Sequence, residues 1–134
     1  MLRTLFGVFI ILHGLVHFWP FVLSRALVEY KPEMGWTGES WLLTSLVGDS
    51  ATRLLASIVY VLAAIMFVVS GVGLFTRAQW RSPIMLASAV FSAVVILAFW
   101  DGRAGLLVEK GLVGFLIDLA IVFLLLVLKW PAVR

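Results

Sequence analysis

The stretch Leu5 to Leu23, LFGVFIILHGLVHFWPFVL, is an apolar run long enough to cross a bilayer as a helix, yet it carries two histidines, His13 and His17. Crossing the hydrocarbon takes about 20 helical residues, and such spans rarely hold ionisable groups without a structural or functional reason. Four residues apart, the two imidazoles fall on one helical face with Phe6, Ile10 and Phe21. Gly7 and Gly14 mark a neighbouring face where another helix can approach closely. Arg3 ahead of the run and Ser24-Arg25-Ala26 after it loosely follow a secretory signal. The run is longer than an ordinary signal core, however, and two histidines and Trp19-Pro20 are foreign to one, so a retained first transmembrane helix is expected.

The rest of the chain has the same character. Of its 134 residues 63% are hydrophobic and only 13% charged, and its mean hydropathy of +1.15 is far above that of a soluble domain. There are no cysteines, which excludes disulfides, thiolate metal sites and thiol redox chemistry. The net charge of +3 comes from Lys and Arg scattered at the ends of apolar runs, a pattern of membrane helices and not of a nucleic-acid partner. No phosphate-binding glycine loop or nucleophile elbow is present, and His13-Gly14-Leu15-Val16-His17 lacks the Glu of a zinc-protease motif.

Four runs pass the length test: Leu5 to Leu23, Leu54 to Phe75, Ile84 to Trp100 and Leu112 to Leu128. They predict an all-α polytopic membrane protein with one domain over residues 1–134, an up-down bundle of four transmembrane helices at about 3–24, 53–76, 83–100 and 111–130. An even number of crossings puts both termini on one side. That side holds Arg3, Arg77, Arg81, Lys129 and Arg134 and no acid, whereas the opposite loops dilute five basic residues among six acidic ones. Both termini are therefore expected in the cytoplasm, with the bilayer of the plasma membrane as the principal partner.

The long 24–52 loop contains GWTGESWLLTSLVGDS, which reads as a short interfacial helix over about 37–47, with Thr37 as N-cap and Gly48 as the stop. Trp36 and Trp41, with Trp19 and Trp100, are expected as interface anchors at headgroup depth. Ser57, Ala64 and Gly71 form a small-residue seam on the second helix, and Ser88, Ala89, Ser92 and Ala93 another on the third. Most of these serines are expected to bond back to their own helix.

The fourth span contains Asp118 close to its middle. At a rise of about 1.5 Å per residue, His13 lies at the midplane, with His17 and Asp118 roughly 3 to 5 Å to its outer side. The three ionisable groups thus share a layer, and a contact between Asp118 and His17 is expected because neither is stable alone in hydrocarbon. Gly111 and Gly114 on the Asp118 side favour an inward-facing carboxylate, Pro20 leaves the carbonyl of Val16 without a donor, and Ser92 is placed to complete a polar pocket. The layer reads equally as interhelical hydrogen bonding or as a ligand site. A metal on His13, His17 and Asp118 has feasible chemistry, but histidines four residues apart are a weak signal. Haem would need a histidine from a second subunit, since neighbours on one helix cannot take both axial positions.

The residues HGLVHFWPF, GESWLLTSLVGD and LAFWD resemble a group of small four-helix prokaryotic membrane proteins and, more remotely, the DoxX-like group. The resemblance implies a four-helix bundle near membrane redox systems and quinone chemistry. The expected function is a non-enzymatic accessory or subunit-type membrane protein whose His13/His17/Asp118 layer binds a small polar or quinone headgroup. The alternatives are an oligomeric proton-coupled transporter or channel, and a membrane redox or metal- or haem-binding protein. No cofactor is required by the sequence, and a homo-oligomer or a larger membrane complex is the expected protein partner.

Overall fold

The computed structural model describes residues 1–130, so Arg134 lies outside the described residues. Five α-helices make four rods: α1 (Leu2–Val16) continued by α2 (Phe18–Ser24), α3 (Thr44–Thr76), α4 (Arg81–Ala98) and α5 (Leu112–Leu126). No strand occurs among the described residues. Leu2–Ser24, Thr44–Thr76 and Arg81–Ala98 are long and apolar enough to cross a membrane by length and composition, and α5 is a shorter apolar helix. Side chains turned outward along the rods are themselves apolar: Leu12, Leu62, Val94 and Phe123 are each more than 40% exposed.

Neighbouring rods run antiparallel. Along α1, Gly7 meets Gly71 and Phe75 while Gly14 meets Ala64 and Phe67, so the two helices pass in opposite directions. Ser70 on α3 bonds Ser88 on α4 at 3.1 Å, and α4 packs in turn on α5. At Gly14 a Cβ would stand 2.6 Å from that of Phe67 and 3.1 Å from the carbonyl oxygen of Ala64, so only glycine permits this crossing. The glycine face of the first helix and the small seam of the second thus meet as expected. Ser57, Ser70 and Ser88 also bond back to carbonyls of their own helices, at 2.7 to 2.8 Å.

Helix boundaries shift where local chemistry intervenes. Pro20 has no N–H for the carbonyl of Val16 and its ring crowds that carbonyl, so the first rod breaks at His17, whose N–H reaches back three residues to Gly14 (3.1 Å). The third rod starts at Arg81, with Pro83 in its first turn, where a missing N–H costs nothing. The fourth stops at Leu126 rather than near 130, and Trp130 turns back edge-to-face onto Phe6, 4.9 Å between ring centres.

The helix expected over 37–47 forms only in its second half. Residues 37–40 are irregular, hydrogen-bonded turns follow over 41–43, and helix runs from Thr44 to the expected stop at Gly48 (φ 82°, ψ 167°), beyond which α3 continues. The cap is Ser40 instead of Thr37: its Oγ accepts the N–H groups of Leu42 and Leu43, and Thr44 Oγ1 accepts that of Ser40. The physical reason lies in α4. Its last carbonyls and those just beyond lack full helical pairing, and the loop donates to four of them. Trp41 Nε1 donates to Leu97 (2.8 Å), Ser40 Oγ to Ala98 (2.5 Å), Trp36 Nε1 to Phe99 (2.8 Å) and the Trp41 N–H to Trp100 (2.8 Å). Trp36 is accordingly buried against Tyr60 and Phe99 rather than turned outward as an anchor. Trp41 and Trp19 remain about half exposed, and Trp100 is partly covered.

Two apolar clusters result. One comprises Ile10, Phe67, Leu74, Met85, Ala89 and Ile121; the other, beneath the loop, comprises Leu23, Trp36, Ala56, Tyr60, Val95 and Phe99. The polar layer lies between them.

Candidate functional site

Four side chains from three rods meet in this layer: His13 and His17 from the first, Ser92 from α4 and Asp118 from α5. Ser92 and Asp118 are fully buried and the histidines are 5 to 6% exposed. Nε2 of His13 donates to Oδ1 of Asp118 at 2.9 Å. Oδ2 of Asp118 lies 2.5 Å from Oγ of Ser92, which in turn lies 2.7 Å from Nε2 of His17. The expected direct contact between Asp118 and His17 is therefore replaced by a contact with His13, and Ser92 bridges to His17.

The break in the first rod explains this arrangement. Because the His17 N–H turns back to Gly14, the carbonyl of His13 accepts Nδ1–H of His17 (3.1 Å) instead. That bond fixes the ring, aiming Nε2 at Ser92 and away from Asp118. Phe67 stands against both imidazoles, its ring centre 4.8 Å from His13 and 5.5 Å from His17.

One donor atom from each of His13, His17 and Asp118 lies within 4.8 Å of the others, a grouping compatible with a metal ion. Those atoms already bond one another directly or through Ser92, so an ion would have to displace the hydrogen-bonded arrangement.

Beside the layer is a cavity of about 220 Å³ between the first rod and α5. Val16, Trp19 and Pro20 line one wall, Gly114 and Ile117 the other, with Trp36 and Tyr60 behind and His13 and His17 at the polar end. Across this seam packing is sparse, since α1 packs mainly on α3 and α5 on α4. Gly111 and Gly114 line the cavity. A Cβ at Gly114 would stand 3.5 Å from Ile96 and 3.9 Å from Cε1 of His13, ordinary contact distances, and one at Gly111 would stand 3.4 Å from Ile96. On the same helix Asp118 is buried, facing inward as expected. At the rim Val16 and Val113 are 66% and 49% exposed, so the cavity opens sideways through an apolar surface.

The outer end of the cavity is closed by the loop after α4. Lys110 pairs with Asp101 at 2.8 Å, both side chains almost wholly buried, and also donates to the carbonyl of Arg103. Gly35 (φ 93°) lets the first loop press onto the backbone of Glu109, where any side chain would collide. Tyr60 is a cavity residue that the sequence reading did not assign to the site. Its signal was the seven-residue step to Phe67, which puts both on the buried face.

Fold and site together define a helical bundle with a buried histidine–serine–aspartate network at the end of a lateral apolar cleft. No family model matches the chain, and no similar curated protein or solved structure was found.

Proposed function

We propose that this is a multi-pass, non-enzymatic plasma-membrane protein, both termini cytoplasmic, that receives the polar head of a lipid-soluble molecule in the cleft between its first rod and α5. The observation that carries the reading is the cleft itself: an apolar cavity opening sideways at Val16 and Val113 and ending on two imidazoles. Its volume, about 220 Å³, is below the roughly 300 Å³ at which pockets for whole drug-sized ligands begin. It suits a headgroup whose tail stays in lipid. Trp19, Trp36 and Tyr60 favour a flat ring, and the DoxX-like layout agrees with a quinone–quinol type of head.

The test titrates an alkylated quinone and its reduced quinol separately against the full chain in nanodiscs. At least one form is expected to bind, and Gly114→Leu, which fills the cleft beside His13, should weaken that binding at least tenfold. Absence of binding by both forms, or binding indifferent to Gly114→Leu, would sink the proposal.

A further inference from the structure

Resting on that reading, we infer that the molecule held in the cleft presents a hydrogen-bond donor, a hydroxyl, to Nδ1 of His13. The argument is a count of hydrogens. The contacts His13 Nε2–Asp118 Oδ1 (2.9 Å), Asp118 Oδ2–Ser92 Oγ (2.5 Å) and Ser92 Oγ–His17 Nε2 (2.7 Å) must each contain a hydrogen, because bare lone pairs do not face each other at such distances. A fourth hydrogen sits on Nδ1 of His17, since the carbonyl of His13 that it meets can only accept.

Two neutral imidazoles, a serine hydroxyl and an ionised carboxylate hold three exchangeable hydrogens between them and leave the layer with one negative charge. Four hydrogens make the layer neutral, and five make it positive. The layer is walled by Phe67 and lies between two apolar clusters beside an apolar cleft, where an uncompensated charge is very costly, so the neutral count is selected. Its four hydrogens are all assigned by the contacts above. None remains for Nδ1 of His13, which has no hydrogen-bond partner among the described residues although His13 lines the cavity.

The polar end of the cleft therefore offers a bare imidazole lone pair. A hydroxyl satisfies it, whereas an ether or carbonyl oxygen would set lone pair against lone pair. The aspartate and His17 share one proton through Ser92. Whether that proton stands nearer the carboxyl or nearer the imidazole, the count at His13 is unchanged.

The experiment compares an alkylphenol with its methyl ether, of equal tail length, by calorimetry against the full chain in nanodiscs, with Gly114→Leu nanodiscs as the baseline for partition into lipid. The phenol is expected to bind at least tenfold more tightly, and ¹⁵N spectra of the histidines should show His13 with hydrogen on Nε2 and none on Nδ1. Equal affinities, or tighter binding of the ether, would overturn the inference and leave the cleft reading standing. If neither probe binds above the baseline, the cleft reading fails and this one with it. A hydrogen on Nδ1 of His13 overturns the count whatever the affinities.

Discussion

Asp118 is the residue on which the buried network turns, because each of its oxygens holds a different rod: Oδ1 the first through His13, and Oδ2 α4 through Ser92. An asparagine can make both bonds while staying neutral, with its carbonyl toward His13 and its amide N–H toward Ser92. Asp118→Asn is therefore expected to lower stability by no more than about 1 kcal/mol, as measured by thermal unfolding in detergent. Asp118→Leu leaves the His13 N–H buried without a partner and leaves Ser92 only its contact with His17, and the cost should be about 2 kcal/mol or more. Equal melting of the two variants would show that these hydrogen bonds contribute little. Sequence spacing alone placed His13, His17 and Asp118 in one layer, with Ser92 placed to complete it. It paired Asp118 with the wrong histidine, because the partner is set by a ring orientation that depends on where the His17 N–H goes.

At the scale of elements, the crossing of α1 and α3 is the tightest joint. The carbonyl of Ala64 cannot withdraw from a Cβ at Gly14 without moving the α3 backbone, and Phe67, which would also be struck, stands against both histidines. Gly14→Ala should destabilise by about 1 to 3 kcal/mol and loosen the histidine pair as well, so melting temperature and ligand affinity should fall together. A variant that melts like the parent would mean the rods part easily there. The loop between α2 and α3 teaches the opposite lesson about legibility. Its tryptophans read as membrane anchors, but Trp36 is buried in the core, and Trp36, Trp41 and Ser40 all satisfy carbonyls at the end of α4, about sixty residues away in the chain. In apolar surroundings an unmet carbonyl costs more than an indole gains at an interface, and that long-range demand overrides the local amphipathic pattern.

For the molecule as a whole, the end of the bundle that carries the chain termini has Arg3, Arg77, Arg81 and Lys129 and no acidic residue, whereas the other end mixes both signs in its loops. A reporter fused to the C-terminus is expected to be active only as a cytoplasmic fusion. Activity as an exported fusion would invert the proposed topology. The cleft lies nearer the mixed-charge loops, which the proposed topology would turn outward.

The all-α class, the four rods and their order follow from hydrophobic run length, and the depth of His13, His17 and Asp118 follows from helical rise. Both are local properties that any single stretch of the chain carries by itself. Only the tertiary structure decided the partners: that His13, not His17, meets the carboxylate, that Trp36 belongs to the core, and that a cavity lined by Gly111 and Gly114 remains between the first rod and α5. Each of these depends on which distant group is left with an unmet hydrogen bond or an unfilled space, and that is settled only when the rods come together.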